Sequence, residues 1–328
     1  MGARGGIITL AALIIIGCQG SSSSSAPPVS APPPVKLAQN RPVFSADSAY
    51  KYLEEVMKCG NRIPGTPEHK RCGDWLMEAL RRRGASVYEQ VGVYRGTPIH
   101  NIIASYGGDT VSPRILLSAH WDSRPHADQD PQNPQAPVPG ANDDASGVAV
   151  LLEIGRLLQQ RPLPYGVDII FWDSEDLGKE GVSDSYCLGT QYWTENPAPY
   201  PPQRYRWGIH LDMVGGKNAT FLQEGYSRQY APLLVEQLWA VARQLGYERY
   251  FPPLAGEPIT DDPYYLSSRG RVPMVNIIQR DPMGKGFFPE WHTTRDDISI
   301  IDKATLQAVG DVLIAFLYSF HPQTLAPL

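Results

Sequence analysis

The chain has 328 residues, of which 42% are hydrophobic and 19% charged, and its formal net charge is −5 at pH 7. This length and composition fit a large globular domain better than a disordered or fibrous chain. The negative charge and the lack of a basic stripe argue against nucleic acid as a partner, because binding to phosphates needs clustered Lys and Arg.

The first 41 residues have the pattern of an export signal followed by a linker. Residues 1–17 combine a positive start with an apolar stretch too short to span a bilayer, which is typical of a signal peptide. Gly17-Cys18 resembles a bacterial lipobox, so we expect Cys18 to be acylated. Residues 18–41 are rich in Ser and Pro and are predicted to form an extended tether. An ordinary signal with an incidental cysteine is the alternative.

These features predict an exported bacterial lipoprotein that faces the periplasm and is held at the membrane by its N-terminal lipid alone. Gln19, rather than aspartate, follows the cysteine, which favours the outer over the inner membrane. Residues 42–328 are predicted to form one catalytic domain, because no second low-complexity segment interrupts them.

The domain begins with helical patterns and continues with strand patterns. Apolar spacing predicts helices over 45–57 and 67–83, with a turn at 61–66. Cys59 and Cys72 are close enough in sequence to bridge in an oxidising compartment, whereas the sequence leaves their distance open. We expect Cys187 to pack as a small hydrophobic residue.

Strands and helices then follow along the rest of the chain. Strands are predicted at 85–94 and 99–106, followed by apolar runs at 114–120, 166–173, 207–212 and 273–278; helices are predicted at 145–158, 230–245 and 303–320. This order predicts a single-domain α/β fold with a mixed, mostly parallel central sheet flanked by helices.

Five acidic or imidazole side chains follow apolar runs of this sheet: His120, Asp143, Asp176, Asp212 and His292. Open α/β sheets bind ligands at the carboxyl ends of their strands. Zinc accepts imidazole and carboxylate ligands, and a catalytic zinc typically keeps three of them. Asp143, Asp176 and His292 can supply those three, and Glu175 is then placed as a proton-transferring base beside the metal.

Seven ordered motifs between Arg41 and the end of the chain resemble the zinc-dependent glutaminyl cyclases, and most of all their bacterial periplasmic members. That family is related to the bacterial leucine-type zinc aminopeptidases. The motifs are Ala119-His-Trp-Asp-Ser-Arg124, Gly140-Ala-Asn-Asp-Asp-Ala-Ser-Gly147, Asp173-Ser-Glu-Asp176, Cys187-Leu-Gly-Thr-Gln-Tyr-Trp193, Leu211-Asp-Met-Val-Gly-Gly216, Thr260-Asp-Asp262 and Glu290-Trp-His-Thr293.

The resemblance implies a zinc-exopeptidase-like fold and an acyltransferase that converts the N-terminal glutamine of peptides or proteins into pyroglutamate with release of ammonia. It implies one zinc ion on Asp143, Asp176 and His292, with Glu175 as general base and acid. The remaining implied roles are an acidic hydrogen-bond network of Asp212 and Asp261, a pocket wall at Trp291, and supports for Asp143 or its loop at His120 and Asp122.

The chain departs from the family pattern at two places. Many members carry two successive glutamates where this chain has Glu175-Asp176, although the shorter side chain still offers a carboxylate. Pro263 stands where the pattern has histidine, which concerns only the adjoining loop.

A two-zinc aminopeptidase is the main alternative, because the five strand-end residues match all five metal positions of that relative and Asp143 would bridge the ions. Trp291, Asp261-Asp262 and the Trp121 and Arg124 context favour the cyclase. A non-catalytic surface lipoprotein is a remote alternative, since the base and ligands are intact. The physiological substrates and the oligomeric state stay open.

Overall fold

The computed structural model describes residues 1–2, 36–108, 110–281 and 286–323. The predicted signal peptide, Cys18 and most of the tether lie outside these residues, so those predictions stay as they were. Leu37 already packs against the core, and the Ala38 N–H donates to Ser319 Oγ at 2.9 Å. No helix within the described ranges has the length and apolar content to cross a membrane.

Two capped helices open the domain, close to their predicted limits. α1 spans Ala46–Lys58, and the side chain of its N-cap Ser45 accepts a hydrogen bond from the Ser48 N–H. α2 spans Pro67–Arg82 with Thr66 as the corresponding cap. Such caps satisfy backbone donors that the first helical turn leaves free. Cys59 and Cys72 are both free thiols, and Cys59 Sγ donates to the Glu55 carbonyl, so the structure has no disulfide between them.

A six-stranded sheet forms the centre of the domain, in the order β1-β2-β4-β3-β5-β6. Its strands are β1 (Ser86–Tyr94), β2 (Thr97–Tyr106), β3 (Arg114–His120), β4 (Gly166–Trp172), β5 (Tyr205–Asp212) and β6 (Met274–Ile278). β1, β2 and β4 pair antiparallel, while β4, β3, β5 and β6 run parallel. The prediction of a mixed, mostly parallel sheet is confirmed.

Helices cover both faces of this sheet. The other helices are α3 (Ala145–Gln160), α4 (Leu188–Glu195), α5 (Gly225–Tyr230), α6 (Pro232–Gln244), α7 (Asp262–Ser268) and α8 (Lys303–Ser319). α1, α2, α3, α6 and α8 share one large apolar cluster, and residues of α4 and α7 pack into a second cluster on the opposite face. Strands β3 and β4 are buried along their whole length, as parallel strands between two helical layers must be.

The sequence prediction differs from the structure in the shorter helices. The helix predicted over 230–245 is confirmed as α6, which begins at Pro232 because proline suits the first turn of a helix but cannot continue α5. α4, α5 and α7 were not predicted, since helices of six to eight residues are too short for a clear helical period. Trp193 and Trp207 are buried core aromatics.

Candidate active site

The parallel strands bring the predicted site residues to one edge of the sheet. His120 and Asp212 are the last residues of β3 and β5, and Glu175 and Asp176 follow β4 by three and four residues. Asp143 precedes α3. A cavity of about 500 Å³ opens there, and its lining includes Asp143, Glu175, Asp176, Asp212, Asp261, Trp291 and His292.

The residues predicted to hold a metal form one compact group. Asp143, Asp176 and His292 each place one ligand atom within 4.8 Å of the others, and all three side chains are buried. His292 Nε2 lies 3.2 Å from Asp176 Oδ1 and 3.7 Å from Asp143 Oδ2. Asp176 Oδ2 is buried without a hydrogen-bond partner among the described residues. A buried carboxylate oxygen left without a donor, together with an imidazole and a second carboxylate, fits a zinc ion.

A second group shares Asp143 with the first. His120 Nε2 lies 2.9 Å from Asp143 Oδ1 and 3.6 Å from Asp212 Oδ1. Asp212 Oδ1 is also buried without a hydrogen bond. The structure therefore brings all five strand-end residues together around Asp143, and the donor sets fit either one ion or two.

Asp122 holds the turn that carries the predicted base. Its two carboxylate oxygens accept hydrogen bonds from the backbone N–H groups of Glu175 and Asp176, at 3.0 and 3.1 Å. It also lies 3.3 Å from His120 Nδ1. We expected His120 and Asp122 to support Asp143 or its loop. His120 contacts Asp143, while Asp122 supports the site through the turn after β4 and not through the loop of Asp143.

The loop of Asp143 is held instead by a residue that the sequence analysis missed. Asp296 is buried and accepts hydrogen bonds from the N–H groups of Asn142 and Asp143, at 2.7 and 3.1 Å. Asp144, the next residue, caps α3 through the Gly147 N–H and also accepts a hydrogen bond from the Met213 N–H. Asp296 follows the Glu290-Trp-His-Thr293 motif, which was its only signal in the sequence.

Asp128 and Arg124 orient the ligands on the side of His292. Asp128 Oδ1 lies 3.4 Å from His292 Nδ1, an arrangement that fixes the orientation of a metal-binding imidazole. Arg124 Nη1 donates to Asp176 Oδ1 at 2.9 Å, and its Nε donates to Asp128. Burial alone would lower the pKa of His292, but Asp176, Asp128 and Asp143 together raise it to about 9. The sequence analysis did not identify Asp128.

The predicted base Glu175 contacts a thiol. Cys187 Sγ donates to Glu175 Oε1 at 3.1 Å, and the Cys187 N–H donates to the Glu175 carbonyl. Our expectation that Cys187 packs only as a small hydrophobic residue is therefore wrong; its position in the Cys187–Trp193 motif was the available signal. Burial raises the pKa of Glu175 well above its ordinary value, although the nearby His120 opposes the shift.

Asp261 and Asp212 are two further acids that line the cavity. Asp261 accepts hydrogen bonds from Asn276 Nδ2 and from the Asp262 N–H, and one of its oxygens lies within 4.8 Å of ligand atoms of Glu175 and Cys187. Burial raises the pKa of Asp261 to about 6 and the pKa of Asp212 to about 8. Clustered buried carboxyls of this kind keep protons near neutral pH unless a cation replaces them.

Aromatic rings form one wall of the cavity. The Trp291 ring stacks on His292 with centroids 3.6 Å apart, and Phe287 lies 4.5 Å from Trp291. His292 adopts a φ of 53°, a left-handed conformation that costs a non-glycine residue energy and is common at functional sites. Trp121 does not line the cavity; it is buried and stacks on His69 at 4.0 Å.

Comparisons with known proteins agree with this geometry. The model of peptidase family M28 matches residues 101–317. A zinc-dependent exopeptidase from Parabacteroides distasonis is 46% identical in sequence, with a TM-score of 0.81 over 85% of this chain and 99% of that one. A glutaminyl cyclase from Bacteroides thetaiotaomicron, solved with N-acetylhistamine, is 43% identical, with a TM-score of 0.81 over 86% of this chain and 100% of that one.

A more distant relative is aminopeptidase YwaD of Bacillus subtilis, which is 27% identical over 207 residues. That match covers 62% of this chain and spans 40% of the length of YwaD. The family thus contains both peptidases and cyclases. Because the family model covers the strands and loops that form the site, the chain belongs to peptidase family M28.

Proposed function

We propose that this protein is a zinc-dependent glutaminyl-peptide cyclotransferase, which converts the N-terminal glutamine of peptides and proteins into pyroglutamate and releases ammonia. The observation that carries the proposal is the stacked pair Trp291–His292, which puts a flat aromatic wall against the predicted metal site in the same cavity as Glu175, Asp212 and Asp261. Such a wall suits a single planar carboxamide side chain and excludes water.

We infer that Asp143, Asp176 and His292 hold one zinc ion. When bound there, zinc supplies a Lewis acid that polarises the γ-carboxamide oxygen of the substrate. The substrate's α-amine forms a bond to the carbon of that carboxamide, and the bond from this carbon to the amide nitrogen breaks, so the amide nitrogen leaves as ammonia. Since the nucleophile is already tethered, the protein's main task is to hold the terminal residue folded.

Glu175 moves the proton in this scheme. Its carboxylate takes a proton from the attacking amine and delivers it to the leaving nitrogen. Asp261 and Asp212, which line the same cavity, accept hydrogen bonds from that nitrogen. The Cys187 thiol and the Asp122 hydrogen bond to the Glu175 N–H keep the carboxylate in place.

A two-zinc aminopeptidase is the second candidate, because His120, Asp143 and Asp212 offer a further set of buried ligand atoms within 4.8 Å of one another. In that reaction water would attack the first peptide carbonyl, and the N-terminal residue would be released. We favour the cyclase because Phe287 and Trp291 put aromatic rings in the cavity lining directly beside His292.

The deciding experiment offers purified, zinc-loaded protein one peptide that begins with glutamine and one that begins with leucine. We expect ammonia and pyroglutamate from the first and no cleavage of the second. Release of leucine would assign the peptidase activity instead. Zinc analysis of the same sample should give one ion per chain, and two tightly bound ions that are both needed for turnover would contradict the single-zinc assignment.

We also propose that Cys18 carries the lipid that holds the protein at the outer membrane, with the tether presenting the domain to periplasmic peptides. Metabolic labelling with a fatty acid tests this directly. The wild-type chain should incorporate the label, and Cys18→Ser should not. Labelling of the serine variant would contradict the assignment.

A further inference from the structure

Arg280 lies at the edge of the cavity and has no assigned role. It follows the end of β6 by two residues, and its backbone N–H donates to the Thr220 carbonyl at 2.9 Å. Its guanidinium carbon lies 4.4 Å from the centre of the Phe287 ring, which itself stacks on Trp291. The side chain is thus half-buried and fixed against the aromatic wall.

The guanidinium of Arg280 makes no ion pair and no side-chain hydrogen bond with any described residue. Glu257 and Asp281 are the nearest acids that influence it, and neither is close enough to form an ion pair. Two other arginines near the cavity are paired: the buried Arg124 binds Asp128 and Asp176, and the exposed Arg269 binds Asp184. A half-buried guanidinium that pairs with no described side chain keeps donors available to an anion.

The position of Arg280 limits what that anion can be. Arg280 and Phe287 line both the active-site cavity and a neighbouring polar cleft that contains Lys217 and Glu290, so the pair stands between the two. Among the described residues that line the active-site cavity, the exposed Lys179 is the other permanently charged cation besides Arg280. The second residue of the peptide is bonded directly to the reacting glutamine. Its polar groups are therefore only a few bonds from the reaction centre and within reach of the same cavity.

We propose that Arg280 is a specificity-determining residue that binds a carboxylate on the residue after the N-terminal glutamine. This inference rests on the proposed cyclase function. A planar guanidinium matches a carboxylate through two parallel hydrogen bonds, which a neutral amide cannot form. The carboxylate can belong to an acidic second side chain or to the free C-terminus of a dipeptide.

The test compares peptides that differ only in whether the second residue carries a carboxylate. Gln-Glu-Ala-amide is paired with Gln-Gln-Ala-amide, and Gln-Ala is paired with Gln-Ala-amide. We expect the wild type to favour the acidic member of a pair by about five- to tenfold in kcat/KM, mainly through KM. The first pair reports the side-chain carboxylate and the second pair reports the terminal one.

Arg280→Met should reduce the ratio of the two kcat/KM values within each pair to about one. Arg280→Lys should retain part of the preference for the acidic peptide, because the positive charge remains. Arg243→Met is the matched control: Arg243 is exposed on α6 and lines neither cavity, so the wild-type ratio should persist. A wild-type ratio near one in both pairs overturns the proposal, even if Arg280→Met does not fold. A ratio that persists in Arg280→Met overturns it as well.

Failure of the cyclase assignment is distinguishable from failure of this inference. If no glutamine peptide releases ammonia, the proposed function fails, and the same charge pairs are then offered with N-terminal leucine. A five- to tenfold preference that depends on Arg280 would support the carboxylate site in either reaction, and its absence would overturn it.

Discussion

The two groups that share Asp143, one with His120 and one with His292, differ in how closely their side chains contact one another. In the first group, His120 Nδ1 lies 3.3 Å from Asp122 and Nε2 lies 2.9 Å from Asp143. In the second group, His292 Nδ1 lies 3.4 Å from Asp128 and Nε2 lies 3.2 Å from Asp176 and 3.7 Å from Asp143, while Asp176 Oδ2 has no hydrogen bond among the described residues. His120 Nε2 is thus already engaged by Asp143, whereas the His292 side offers an unsatisfied carboxylate oxygen that suits an ion.

Asp212 complicates this comparison, because its Oδ1 also has no hydrogen-bond partner among the described residues. Burial raises its pKa to about 8, so near neutral pH the metal-free carboxyl keeps a proton. A second ion would have to displace that proton, so five matching ligand positions do not fix the number of ions.

The largest expected effect comes from removing the base. Glu175→Gln should reduce kcat by about a thousandfold, because proton transfer typically contributes 10²–10⁴-fold. Zinc content should not change, since Glu175 is not among the inferred ligands. Ammonia release and metal analysis are the measurements, and Glu180→Gln, an exposed acid on the same cavity rim, is the matched control. Full activity of Glu175→Gln would support a non-catalytic binding protein instead.

Substitution of the two histidines tests the comparison itself. His292→Ala removes an inferred ligand and should weaken zinc binding by about a hundredfold or more, with loss of turnover. His120→Ala should keep one ion per chain and lose about tenfold in kcat, because it removes a hydrogen bond to Asp143. Zinc titration followed by metal analysis measures both. Equal loss of metal in the two variants would favour the two-zinc peptidase.

A smaller effect is expected at Asp128, which contacts His292 Nδ1 and pairs with Arg124. Asp128→Asn should weaken zinc affinity by about tenfold, as is typical for groups that orient a metal-binding histidine. The change should appear in competition with a chelator, while kcat at saturating zinc falls less. An unchanged zinc affinity would show that Arg124 or Trp291 alone orients the ring.

Removal of the metal should lower the melting temperature, and more so at pH 8 than at pH 5. Without a cation, the raised pKa values of Asp261 (about 6), Asp212 (about 8) and His292 (about 9) mean that the folded state holds protons which the unfolded chain releases. That stabilisation is complete at low pH and is lost as the pH rises through these values.

Zinc bound to Asp143, Asp176 and His292 would take the place of the His292 proton, and its charge would favour the ionised forms of the nearby Asp212 and Asp261, so the gap between zinc-loaded and chelated protein should widen to about 10 °C at pH 8. Thermal melts with and without a chelator, each at pH 5 and pH 8, measure the gap. A gap that narrows as the pH rises would mean that these acids are already charged in the metal-free protein.

Local patterns were sufficient to predict the frame of the site. The apolar runs of β3 and β4 predict buried parallel strands, and the ends of such strands meet at one edge, so His120 and Asp176 could be placed together from the sequence. The sequence did not predict helices α4 and α7, because short helices show little apolar periodicity.

The supporting contacts were less accessible to sequence reasoning. Asp296 binds backbone N–H groups more than 150 residues away, and Cys187 reaches Glu175 from the start of α4. Neither contact can be read from the local sequence, because the residues next to Asp296 and Cys187 would be the same if these two side chains were exposed. These contacts become visible only when the sheet has brought the loops together.

Asp122 accepts hydrogen bonds from two successive backbone N–H groups and so holds the turn that carries Glu175 and Asp176. Because the backbone is held in this way, the length of the side chain at position 176 sets how far its carboxylate reaches into the cavity. An aspartate is one methylene shorter than the glutamate that many glutaminyl cyclases carry there. The size of the terminal residue that fits would therefore be limited in part by the length of an inferred metal ligand, not only by the pocket wall.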